Sequence, residues 1–201
     1  MKFIGIDLEG VLVPEIWVAL AEKTGIKDLF LTTKDIGSYK TLMKKRIEVL
    51  NNNNIKSDLL FEVAKTIEPY EGAVEFLEKI KEKYQIIVLS DTFYNLSAPI
   101  IKKLGNPNVF CHELLVDDNN MVSGVNMCID NHKMLTIKYM NALNFDTIAI
   151  GDSLNDIGML EEANHAILFK SSPEIIEKYK NFFSCNNYNS LSNKIDDFFS
   201  L

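Results

Sequence analysis

Short apolar runs alternate with helical patterns along most of the chain. The runs are residues 3–6 (FIGI), 86–89 (IIVL), 147–150 (TIAI) and 166–169 (AILF). Each is continuous and rich in β-branched residues, the pattern of strands covered on both faces of a parallel sheet. Between them apolar residues recur at helical spacing. Val74, Leu77 and Ile80 mark a segment running on to Tyr84, Ile100, Ile101 and Leu104 a second, and Leu135, Tyr139, Met140 and Leu143 a third. Strand–helix alternation of this kind predicts an α/β fold with right-handed crossovers.

The interval 14–69 breaks the alternation. It holds no convincing strand and at least three helical segments. Pro14 sits where a helix starts and Gly25 where it stops. A second helix covers about 39–50 and ends in the run Asn51–Asn54; a third spans about 58–66. Residues 14–69 are therefore expected to form a helical cap domain, inserted in an α/β core domain of residues 1–13 and 70–201. A different pattern occupies residues 111–125 (CHELLVDDNNMVSGV), where two short apolar runs flank Asp117-Asp118-Asn119-Asn120. That is a turn signal, and a β-hairpin is expected. Turn chemistry explains its acidic tip without a metal.

Composition narrows the function. The 201 residues are 47% hydrophobic and 24% charged, with a net charge of −7 and acids and bases interspersed. No basic face is present to neutralise nucleic-acid phosphates, so nucleic acid is excluded as a partner. No apolar run approaches the ~20 residues that span a bilayer, and no signal peptide is evident. The cysteines Cys111, Cys128 and Cys185 are odd in number and unpaired in spacing. They read as idle thiols, and a cytoplasmic protein is expected.

Ligands of open α/β sheets bind beyond the carboxyl ends of the strands. After the first run come Asp7 and Glu9; after the second, Ser90, Asp91 and Thr92; after the third, Gly151-Asp152-Ser153-Leu154-Asn155-Asp156. Lys133 precedes a helix between the second and third. Singly, each has a structural explanation: Ser90 or Asp152 as a helix cap, Lys133 as a surface lysine. Together they suit phosphoryl transfer. One carboxylate attacks phosphorus, a second carboxyl group handles the proton, and lysine and serine hold phosphoryl oxygens. The acidic balance then calls for a divalent cation, and magnesium suits an all-oxygen site.

DLEGV at 7–11, LSDT at 89–92, Lys133 and GDSLND at 151–156 resemble, in order, the four motifs of the haloacid dehalogenase superfamily of phosphohydrolases. The resemblance runs from Lys2 to about Phe169 and implies a Rossmann-like core with a central parallel sheet and a cap inserted after the first strand. DLEGVLVPEIWVALAEKTGI, YKTLMKKRIEVL and LSDTFY further resemble a subgroup described as bifunctional phosphoserine phosphatase and phosphoserine:homoserine phosphotransferase. That likeness implies Asp7 as nucleophile and magnesium ligand. It implies Glu9 as acid/base and as a ligand through its backbone carbonyl, with Asp152 completing the metal shell. Ser90 and Lys133 would bind phosphate, Glu15 and Arg46 the substrate's ammonium and carboxylate. Asn155 would join the substrate-binding set, and Asp156 would support the shell or the lysine. The substrate implied is phosphoserine, with homoserine as an acceptor that can compete with water.

Glu9 stands where the superfamily usually has aspartate and Val11 where it usually has threonine; the bifunctional subgroup shares both departures. Asp91 follows the phosphate-binding serine where glycine is common, and the sequence assigns it no role. Two alternatives stay open: a phosphatase of another small ester, with Glu15 and Arg46 merely on the surface, and a catalytically silent phosphate-binding module.

Overall fold

Strand β1 (Lys2–Ile6) lies in the middle of a seven-stranded sheet, which is why Phe3, Ile4, Gly5 and Ile6 are all buried. The computed structural model describes residues 1–200. The other strands are β2 (Gln85–Phe93), β3 (Val109–Val116), β4 (Val122–Asn126), β5 (Asp146–Gly151), β6 (His165–Phe169) and β7 (Phe183–Cys185). Their order across the sheet is β4-β3-β2-β1-β5-β6-β7, with every pair parallel except β3 and β4. This is the Rossmann-like α/β architecture expected from the alternating pattern. The expected hairpin is present as β3 and β4, but its first strand pairs in parallel with β2, so the hairpin extends the main sheet.

Four helices follow β1 and precede α5 (Ala73–Lys81): α1 (Ile16–Thr24), α2 (Thr33–Ile36), α3 (Tyr39–Asn52) and α4 (Ser57–Thr66). A 3-10 turn, Lys27–Phe30, separates the first two. α1 begins two residues later than Pro14 suggests, because Glu15 stays extended as its N-cap; Gly25 ends it with φ 70°. α3 starts at Ser38, whose hydroxyl accepts the Thr41 N–H, and buries Leu42, Met43, Arg46, Val49 and Leu50. The short α2 and the 3-10 turn have no periodic signature to reveal them. After α5 (Ala73–Lys81) and β2 come α6 (Tyr94–Lys103), α7 (His132–Ala142), α8 (Ile157–Glu162), α9 (Pro173–Lys178) and α10 (Tyr188–Phe198).

Two apolar layers sandwich the sheet. Ile4, Ile6, Val88 and Ile148 pack with the inserted helices, α5, α6 and α10, while Phe3, Leu89, Ile137 and Ala149 pack with α7 and α8. Among the described residues no helix is long and apolar enough to cross a membrane.

Strand β2 continues four residues past its apolar run, so Ser90, Asp91 and Thr92 lie within it and not beyond it. Pairing with β3 shifts register between Leu89 and Phe93, the sort of irregularity that re-aims side chains beside functional sites. The chain beyond Phe169 adds β7, α9 and α10. There Tyr188 stacks on Phe76 and Phe169 and donates its hydroxyl to the Val11 carbonyl at 2.7 Å. Tyr188→Phe keeps the stacking and removes that bond. Its expected cost, read from urea unfolding, is about 1 kcal/mol.

Candidate active site

β1 and β5 run side by side, with Ile6 opposite Ile150, and the Asp7 N–H continues the ladder by donating to the Ile150 carbonyl at 2.9 Å. This delivers Asp7 and the loop at Asp152 to one sheet edge. The Asp7 carboxylate is buried, and its Oδ1 accepts from the Leu8 N–H and the Lys133 ammonium, both at 2.8 Å. Lys133 enters from the first turn of α7 and also donates to Asp156 Oδ1 at 2.9 Å. The other oxygen of Asp156 accepts the N–H groups of Asp152 and Ser153 at 3.0 and 3.2 Å. With Ser153 it forms a capping box, so Ser153 and not Asp152 caps the turn.

Two glycines make this convergence possible. Gly10, at φ 81°, lets the loop after β1 pass so close to Asp152 that a Cβ there would lie 2.4 Å from the Asp152 Cγ. Gly151 does the same beneath Asp156, where a Cβ would lie 2.4 Å from the Asp156 Cβ. The loop's backbone bonds join Gly10 N–H to the Val13 carbonyl and the Leu12 and Val13 N–H groups to the Leu8 carbonyl. Among the described residues none uses the Glu9 carbonyl.

Carboxylate oxygens of Asp7, Asp152 and Asp156 lie within 4.8 Å of one another, with one ammonium among them. Burial, then Asp156, holds the Asp7 carboxyl well above its ordinary range, against the pull of Lys133. Burial with Asp156 and Glu15 pushes Asp152 up to about 7. The cluster is thus short of positive charge, and its donors are all oxygen. Such a set fits a hard divalent cation, held by Asp7 and Asp152, since Asp156 has both oxygens committed.

Glu9 has a separate environment. Burial, then Glu15, raises its carboxyl to about 8, opposed by the Ile16 N–H, Arg46 and Lys133. Its Oε1 accepts the Ile16 N–H at 2.7 Å, so a core carboxylate caps the inserted helix α1. A carboxyl group protonated at neutral pH beside an aspartate in contact with lysine is an acid next to a nucleophile.

Ser90 is buried on β2, and its Oγ accepts the Thr92 N–H at 3.2 Å, leaving the hydroxyl proton to donate elsewhere. Arg46 reaches across from α3, stacked 4.6 Å above the Trp17 ring, with one N–H on the Leu31 carbonyl at 3.0 Å. Among the described residues its Nε has no partner. Burial lowers its affinity for its proton, opposed by Tyr39, Glu9 and Glu15. Asp7, Glu9, Ser90 and Lys133 line one cavity of about 270 Å³ together with Glu15, Arg46 and Asn155. Asp152 and Asp156 stand beside Asp7. Glu15 and Asn155 are exposed at the rim, and Asn155 takes the Thr33 hydroxyl at 3.2 Å.

Two histidines with no motif to announce them complete the wall behind Asp91. His112 and His132 are both buried, with ring centroids 4.8 Å apart, and each faces Asp91 Oδ1. Tyr39 of α3 lies against His112 and donates its hydroxyl to the Asp91 carbonyl. Only the adjacency of His132 to Lys133 hinted at its place.

A family model described as haloacid dehalogenase-like hydrolase matches residues 1–164. The chain belongs to the haloacid dehalogenase-like hydrolases. Among the relatives of this hydrolase, phosphoserine phosphatase ThrH of Pseudomonas aeruginosa is 42% identical over 191 residues, covering 95% of this chain and 93% of the relative. A phosphoserine phosphatase of Pseudomonas syringae pv. tomato is 41% identical over 186 residues, covering 92% and 78%. A solved structure of a phospho-aspartyl intermediate analogue of phosphoserine phosphatase superposes with a TM-score of 0.74 at 26% identity, covering 92% of both chains.

In the hydrolase, Gly10→Ala would set a methyl group into Asp152 and strain the loop. The left-handed backbone alone costs about 1–3 kcal/mol. The expected result is a lowered urea midpoint, whereas Gly25→Ala, equally left-handed but with open space around it, loses less.

Proposed function

We propose that this hydrolase is a magnesium-dependent phosphoserine phosphatase working through an aspartyl-phosphate, and that homoserine can replace water as the acceptor. The observation that carries this reading is the single cavity joining Asp7, Glu9, Ser90 and Lys133 to Arg46 and Glu15. The first four suit phosphoryl transfer. The last two suit an amino acid's carboxylate and ammonium, since arginine grips a carboxylate with two parallel N–H bonds.

Asp7 attacks phosphorus and the ester P–O bond breaks. The leaving alkoxide takes the proton of Glu9, whose raised pKa keeps that proton available. Ser90 and Lys133 hold phosphoryl oxygens where negative charge builds up. Glu9, now a carboxylate, takes the proton of the incoming water or alcohol, which attacks phosphorus and returns Asp7 as a free carboxylate. Magnesium, held by Asp7, Asp152 and the Glu9 carbonyl, would neutralise charge on the phosphoryl group. Asp156 positions Lys133 and the Asp152 loop, and Asn155 borders the substrate.

In this reading residues 14–69 act as a cap domain over a core of 1–13 and 70–201. The bonds Tyr39 to Asp91 and Thr33 to Asn155 close it on the site. The cap opens to admit substrate and closes to exclude water.

Phosphate release from phosphoserine with magnesium tests the chemistry. Asp7→Asn should abolish it, and equal rates in the variant and the parent would end the proposal. Arg46→Ala should raise KM for phosphoserine by about 10- to 100-fold, the worth of a charged hydrogen bond, while KM for an aryl phosphate barely moves. Phosphohomoserine formed when homoserine is added would identify the transferase; inorganic phosphate alone would leave a phosphatase. Magnesium at a hundred times its Kd should stabilise the fold by about 2.7 kcal/mol, raising Tm by several degrees in the parent and less in Asp152→Asn.

A further inference from the structure

Asp91 is the residue left without a role: a carboxylate next to the phosphate-binding serine. It lines the same cavity, with Oδ2 3.5 Å from the Lys133 ammonium and Oδ1 3.7 Å from His112 Nε2 and 3.9 Å from His132 Nδ1. The carboxylate therefore faces three nitrogen groups, and the ring protons follow from their other partners. His112 Nδ1 accepts the Cys128 N–H at 3.1 Å, so its proton sits on Nε2, toward Asp91. His132 Nε2 lies 3.2 Å from the Ser90 carbonyl, an acceptor only, so Nε2 carries the proton and donates it. This pattern makes the three side chains poor metal ligands although their donor atoms cluster within 4.8 Å. A metal on His112 Nε2 would force the proton onto Nδ1, against an N–H.

We propose that His132 is a positioning residue of the phosphate site, tying the first turn of α7, which carries Lys133, to β2 at Ser90. The two groups that hold phosphoryl oxygens come from different elements, and β2 loses its regular pairing with β3 just there. The bond from His132 to the Ser90 carbonyl spans that gap and is buried. Asp91 and His112 complete the brace, the two rings meeting edge to face at 65°. Burial lowers the His132 pKa to about 4, which leaves the ring neutral at neutral pH. Donors that stabilise a transition state must already be in place when charge develops, and a loosened pair loses rate more than binding.

The inference rests on the phosphatase reading, and the test separates the two. His132→Leu removes the donor at similar bulk; His132→Gln can still reach the Ser90 carbonyl with its amide N–H. With phosphoserine and magnesium, the leucine variant should lose about 10- to 100-fold in kcat with KM changed less than about 3-fold, and glutamine should restore most of the rate. Equal rates in all three proteins, or equal losses in both variants, would overturn the role of the donor. If the parent acts only on an aryl phosphate, the substrate reading fails and the same kcat comparison on that ester still decides. If it hydrolyses neither, calorimetric binding of inorganic phosphate takes its place: about 10-fold weaker in His132→Leu, recovered in His132→Gln. Nitrogen-15 NMR of the parent should show His132 protonated on Nε2; the Nδ1 tautomer would refute the tie.

Discussion

The buried ammonium of Lys133 is the fixed point of the site. It touches Asp7 at 2.8 Å and Asp156 at 2.9 Å, with Asp91 at 3.5 Å. An ammonium taken out of water alone would be costly, and so would carboxylates brought together without it. Each makes the other tolerable, so neither side of the pair can be changed in isolation. The sheet order serves this arrangement. β1 and β5 must be neighbours for Asp7 and Asp152 to meet, and α7 must cover that face of the sheet for Lys133 to reach both.

The two acids of the first loop stand in different environments. Burial pushes both carboxyls up, but Asp7 meets a lysine at 2.8 Å that pulls it back, whereas Glu9 lies near Glu15 and is raised to about 8. Glutamate's extra methylene also lets its carboxylate reach the free N–H at the start of α1. The same side chain thereby touches both the core and the inserted helices, so the two are mechanically joined.

Strands β1, β5 and β6 were legible because both their faces are buried and their apolar runs are unbroken. β2 was only half legible: its apolar run ends at Leu89, but Ser90–Phe93 stays extended under cover of α3 and α7. α7 shows the opposite error. Its Leu135, Tyr139, Met140 and Leu143 marked a helix correctly, yet Tyr139 and Leu143 are exposed while His132, Lys133 and Ile137 face inward. A face built to present a lysine does not follow apolar periodicity. The order of the acid-bearing loops showed which residues would gather. Nothing in the order could reveal His112, placed by the register of a strand outside the motifs. α9, α10 and β7 lie beyond the motifs, and their contribution to the site runs through Tyr188.

That tyrosine has a consequence for how the molecule comes into being. The bond from Tyr188 to Val11 joins positions 177 residues apart in the chain. The loop bearing Asp7 and Glu9 is made well before its anchor, and before β5 beside it. Until those later segments dock, the strand lacks a neighbour on one side and Asp7 lacks the ammonium of Lys133. Contacts of such separation close slowly and late. Assembly of the acid-bearing loop therefore waits on segments made much later than the loop itself.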